Sequence, residues 1–140
     1  MQKRLLKDYP VKILLAFGGA IDGKKKFMNF LLQNGYPELA ALASAINSDV
    51  EAMKWLMKNN YPELAILSNA IDGEEEAIKW LKKNNLIFYI IFADACRGVE
   101  KAKGWFIFYK LEIFVRLSEI TQEVLKRQQR NAWSPYKLRR

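Results

Sequence analysis

Asp22, Asn47 and Asp72 stand 25 residues apart, and polar groups at a fixed slot are the first to test for acid–base or metal chemistry. Their neighbours Gly23, Ser48 and Gly73 mark the slot as a helix–helix turn, where Asp and Asn serve free backbone N–H groups. One such residue per repeat also keeps these groups apart, so the turn role is expected. Lys24-Lys25-Lys26 is a second candidate. Three cations in a first helical turn oppose the helix dipole, and they suit contact with an acidic or phosphate group. Cys96 is the single cysteine, and histidine is absent. These counts exclude a disulfide within the chain, a triad with a histidine base, and zinc or haem held by histidine. Gly18-Gly19 falls on a helix face, not between a strand and a helix, so it is no phosphate-cradling loop. No catalytic residue, metal site or cofactor is expected, and the chain reads as a non-enzyme.

The stronger binding chemistry is basic. The chain carries 23 Lys and Arg against 15 Asp and Glu, a net charge of +8. Residues 1–96 hold 12 basic and 11 acidic side chains, whereas residues 97–140 hold 11 and 4, so the excess is C-terminal. Lys126, Arg127, Arg130, Trp133, Tyr136, Lys137, Arg139 and Arg140 interleave cations with two aromatics and contain no acid. They are the expected partner-binding residues. The same set could neutralise phosphates and stack on bases, which makes nucleic acid the alternative to a protein partner. Pro135 ends any helix before it.

These groups are positioned by a repeat. Residues 36–60 and 61–85 are identical at 16 of 25 positions. The register extends outward: Ala20, Ala45, Ala70 and Ala95 share a slot, as do Phe30, Trp55, Trp80 and Trp105, and Gly23, Ser48, Gly73 and Gly98. Each copy predicts two short helices. Pro62 suits a first turn, and Leu64, Leu67 and Ile71 line one face. Asp72-Gly73 breaks the helix, Glu74-Glu75-Glu76 opens the next, and Asn84-Asn85 can end it in the left-handed conformation. Ser48-Asp49-Val50-Glu51 reads as a capping box. Helices of about ten residues do not stand alone. Stacking must therefore bury the face carrying Phe30, Trp55, Trp80 and Trp105.

Ala70, Gly73, Glu76-Ala77-Ile78, Trp80-Leu81 and Asn84-Asn85, with Asn34-Gly35 in the first copy, resemble the second half of the ankyrin repeat over roughly residues 11–105. The family's Thr-Pro-Leu-His opening is missing, and 25 residues leave no room for its β-hairpin finger. The resemblance implies a non-enzymatic interaction surface without a finger-tip site.

After the repeats, aromatics crowd residues 86–115. They read as a thick terminal cap, or else as an apolar patch for a partner or a membrane surface. Lys110 to Arg130 predicts one amphipathic helix, with Ile113, Leu117, Ile120 and Val124 as its stripe and Glu112–Arg116 and Glu123–Arg127 as i,i+4 pairs. That helix would cap its own repeats or pack on another subunit. The expected architecture is all-α: a short α-solenoid of about four helix-turn-helix repeats plus a long C-terminal helix. Its parts are a basic arm at 1–8, repeats at 9–108, the helix at 109–130 and a basic extended tail at 131–140. The expected function is a non-catalytic protein–protein adaptor or a structural component of a larger assembly, such as a virion or ribonucleoprotein particle. The longest apolar run, Leu86 to Ala93, is far short of the ~20 residues needed to cross a bilayer. No signal-like start is present, so a cytoplasmic or within-virion location and an unlikely membrane role are the corresponding expectations.

Overall fold

The computed structural model describes residues 5–132, and all regular structure within them is helical. A short 3-10 turn at Leu6–Asp8 leads into α1 (Val11–Ile21), α2 (Lys25–Gln33), α3 (Pro37–Ile46), α4 (Val50–Lys58), α5 (Pro62–Ile71), α6 (Glu75–Lys83), α7 (Ile87–Cys96), α8 (Glu100–Phe108) and α9 (Glu112–Ala132). The turns follow directly from the repeated residues. After each odd helix comes a left-handed residue: Gly23, Ser48, Gly73 or Gly98. After each even helix comes Gly35, Asn60, Asn85 or Lys110 in the same conformation. One residue further on, a backbone N–H closes the helix end, as in Lys24 to Gly19, Glu74 to Asn69 and Leu86 to Leu81. Asn34, Asn59 and Asn84 add a side-chain bond, each amide donating to the carbonyl of Phe30, Trp55 or Trp80 at 2.7–2.9 Å. The helix start at 48–51 differs from the expected capping box. Asp49 is the cap, accepting from the N–H groups of Glu51 and Ala52, because Ser48 is occupied as the left-handed turn residue.

Helices pair as hairpins, α1 with α2 through α7 with α8, and the odd helices stack side by side. Three slots face inward. They are filled by Leu14, Leu39, Leu64, Tyr89 and Phe114; by Phe17, Leu42, Leu67, Phe92 and Leu117; and by Ile21, Ile46, Ile71, Cys96 and Thr121, all buried. The last member of each set lies on α9. The 25-residue register thus continues past the fourth repeat, and the first turns of α9 are a fifth inner helix. Its buried line is Phe114, Leu117, Thr121 and Val124, one residue off the predicted stripe at 113 and 120. α9 packs on α7 and also on α1. The solenoid therefore closes into a ring of five inner helices.

Both ends of the ring are covered. At the N-terminal end of the inner helices, residues 5–9 cross the opening. The fully buried Leu6 donates its N–H to Tyr89 Oη at 3.2 Å, and Tyr9 donates its hydroxyl to Glu38 Oε2 at 2.6 Å. The described part of the expected basic arm is thus a closing strap. At the other end, α9 runs on across the helix termini. Gln128 donates to the carbonyl of Ile46 at 3.0 Å, and Arg127 to Asp22 at 3.0 Å.

The even helices form an outer layer. Each is anchored by a residue with no exposure, Leu31, Leu56, Leu81 or Phe106, and each such burial contributes about 1.5–3 kcal/mol. The aromatics just before them, Phe30, Trp55, Trp80 and Trp105, are half-buried against the edge of the core, with Trp55 stacked on Tyr61. The aromatics of 86–115 divide. Phe88, Phe92, Phe106 and Phe114 pack at centroid separations of 4.9–6.4 Å, edge to face except for Phe106 stacked on Phe114, and weld α7, α8 and α9 together, while Phe108 and Tyr109 stand outside.

Candidate interaction surface

The outer layer is incomplete. α2 covers the joint between α1 and α3, α4 that between α3 and α5, α6 that between α5 and α7, and α8 that between α7 and α9. The joint between α9 and α1 has no outer helix among the described residues. Leu15 reports the vacancy: its equivalents Ala40 and Ala65 are 3% and 1% exposed beneath the preceding outer helix, whereas Leu15 is 56% exposed. Leu15 borders two hollows. One, of about 260 Å³, runs between α1 and α9 over Gly18, Gly19, Ile113, Leu117 and Ile120. The other, of about 410 Å³, lies over Ala16, Phe27 and Phe30. Gly18 sets how closely the two helices approach, since a Cβ there would lie 3.1 Å from Leu117 and 3.2 Å from Ile120.

The rim of this cleft is mostly cationic. Lys12, Lys24, Lys26 and Arg116 line it, with Asp22 and Glu123 as its acids. Both acids are engaged: Asp22 with Arg127 at 3.0 Å and Lys24 at 3.8 Å, and Glu123 with Lys126 at 3.7 Å. The expected Glu112–Arg116 and Glu123–Arg127 pairs give way to this arrangement. Arg127 reaches the end of α1 instead, because α9 crosses that end of the ring.

Two candidate sites that are far apart in sequence thus meet. Lys24, Lys25 and Lys26, all exposed, open α2. Lys126, Arg127 and Arg130, also exposed, lie on the last turns of α9, and Asp22 bridges the groups through Lys24 and Arg127. Trp133, Tyr136, Lys137, Arg139 and Arg140 lie outside the described residues, as does the rest of the expected tail beyond Ala132.

The turn residues act at the ends of the inner helices, not at the starts of the outer ones. Asn47 donates its amide to the carbonyls of Ile21 and Ala43 at 2.9 and 3.0 Å. Burial raises the Asp72 carboxyl, Glu74 adds to the shift and Arg97 opposes it. Deeper in the ring, burial pushes the Cys96 thiol well above the usual range and the Tyr89 phenol up to about 12. Desolvation does the same to the Tyr9 hydroxyl, reinforced by Glu38. Burial thus favours the neutral forms of Cys96, Tyr89 and Tyr9.

Leu15 and Arg116 went unnoticed in the sequence, although the register contained the signal. Leu15 shares an apolar slot with Ala40, Ala65, Ile90 and Val115, whereas Arg116 stands where Ala16, Ala41, Ile66 and Ile91 stand and is the departure in type. Departures from a slot's usual type mark where the repeated environment stops. Among the described residues no group of three or more Cys, Asp or Glu side chains is placed to hold a metal ion, and no helix is long and apolar enough to cross a membrane. Comparison with protein-family models, with curated proteins and with solved structures finds no match.

Proposed function

We propose that the chain is a non-catalytic docking protein that takes an amphipathic helix of a partner protein into the cleft between α1 and α9. The observation that carries this reading is the exposure of Leu15 in a slot that the interior repeats bury. The covered joints of the ring already accept helices bearing an aromatic followed by a buried leucine or phenylalanine, and in α4, α6 and α8 a small residue as well, as in Ala77, Trp80 and Leu81. A helix in the open joint would bury Leu15 and Ile120 in the same way, a helix-in-groove mode of recognition. Lys12, Lys26 and Arg116 favour acidic residues on its flanks. The resemblance of the second half of each unit to the ankyrin repeat fits the same interaction role.

The test is fluorescence anisotropy with a labelled synthetic peptide of sequence EEEAIKWLKKNN, the chain's own segment 74–85. Binding should be weakened at least about tenfold, or roughly 1.4 kcal/mol, by Leu15→Asp and left unchanged by Lys79→Glu on the far side of the ring. Peptide binding that ignores Leu15→Asp, or none at all, would overturn the reading. A single-stranded oligonucleotide serves as the competing probe. Salt-sensitive binding of it that is lost in a Lys24→Glu/Lys25→Glu/Lys26→Glu variant but kept in Leu15→Asp would point to phosphate recognition instead.

A further inference from the structure

We infer that the end of the ring formed by the N-termini of the inner helices docks on an anionic lipid surface, independently of the cleft between α1 and α9. The outer helices run antiparallel to the inner ones, so their C-terminal turns share this end with the starts of α3, α5, α7 and α9. Three of those turns read Leu32-Gln33-Asn34, Met57-Lys58-Asn59 and Lys82-Lys83-Asn84. The fourth reads Ile107-Phe108-Tyr109. Phe108 is 77% exposed, well above any other large apolar residue among those described, and Ile107 and Tyr109 are each 55% exposed. The neighbouring start of α7 adds Ile87, 53% exposed, at the slot where the central repeats place Pro37 and Pro62. A shallow hollow of about 220 Å³ beside it is floored by Leu86 and Phe88 and edged by Leu5 and Lys7.

The charges around this tip favour a lipid surface over an apolar partner. Lys7, Lys82, Lys83 and Lys110 are exposed there and make no ion pair with another described residue, while the acids at this end are Asp8, Glu63 and Glu112, with Glu38 buried against Tyr9. A protruding phenylalanine and tyrosine flanked by lysines match a bilayer interface, where rings enter the headgroup region and ammonium groups meet anionic lipid. The division of the aromatics supports this. Phe88, Phe92, Phe106 and Phe114 complete the core, so burial of the core does not require Phe108.

The experiment is co-flotation of the full chain with vesicles of phosphatidylcholine alone and of phosphatidylcholine mixed with phosphatidylserine. Binding is expected only to the anionic vesicles, weakening as salt rises. Phe108→Ser/Tyr109→Ser should lower it about tenfold, whereas Lys101→Glu, an exposed residue at the start of α8 at the opposite end, should leave it in place. Far-UV circular dichroism and the melting temperature establish that the variants fold. Failure to float with anionic vesicles overturns the inference. So does binding that survives Phe108→Ser/Tyr109→Ser. A wild-type dimer in size-exclusion chromatography that Phe108→Ser abolishes, without vesicle binding, would assign the tip to contact between copies and equally overturn it.

Discussion

A Cβ built at Gly19 would collide with the ring of Phe27, and the other repeats satisfy the same contact in the opposite way. They place Ser44, Asn69 and Asp94 in the slot of Gly19, and Ala52, Ala77 and Ala102 in that of Phe27. The first repeat thus exchanges a larger residue on the inner helix for a larger one on the outer helix. Gly19→Ser alone should overpack the hairpin and cost about 1–3 kcal/mol. Combined with Phe27→Ala it should cost less than the two single changes added together, with a coupling of about 1 kcal/mol or more. Urea unfolding of the four proteins measures this. Additive losses would show that the pair does not compensate. The exchange was legible in the aligned repeats, since both departures fall in the same copy. Its meaning was not, because nothing in the sequence says that the two slots touch.

At the scale of elements, α9 decides most. It supplies the fifth inner helix and then crosses the end of the ring, and two kinds of contact hold it. Phe114, Leu117 and Val124 are buried in the core. The Arg127–Asp22 pair is visible at the surface, its side chains 47% and 39% exposed. Exposed pairs contribute at most about 1 kcal/mol and fade with salt, whereas truncating a buried leucine costs about 2–5 kcal/mol. Leu117→Ala should therefore destabilise by several times as much as Asp22→Asn, and only the second loss should shrink in high salt. Denaturant midpoints at two ionic strengths compare them; equal losses would mean that the ion pair fastens the helix. The existence of this helix and its long amphipathic face were plain from residues 110–130. Its buried line lies one residue from the heptad-like stripe at 113, 117 and 120, because the 25-residue register, which puts Phe114 in the slot of Tyr89, governs the packing.

For the whole molecule, closure changes how the parts depend on one another. In an open array each repeat touches only its neighbours, and removing a terminal unit subtracts a nearest-neighbour increment. Here α9 is the neighbour of both α7 and α1. A chain ending at Leu111 would uncover both, together with the Phe88 cluster. It should lose cooperative unfolding altogether instead of folding as a shorter solenoid, as followed by far-UV circular dichroism in urea. A sharp transition at a lower midpoint would indicate an array that tolerates an open end.

The helices, the turns between them and the slots that face inward are all legible in the order of the residues. Each of these is settled within one 25-residue unit by proline at a first turn, left-handed glycine or asparagine after a helix, and leucines three and four positions apart. That the array bends round on itself and leaves one joint uncovered emerges from the packing of the units in three dimensions. Closure depends on the small rotation accumulated from unit to unit. It also depends on the side chains of Leu117 and Ile120 fitting against Gly18, about a hundred positions away, and neither leaves a local mark in the chain.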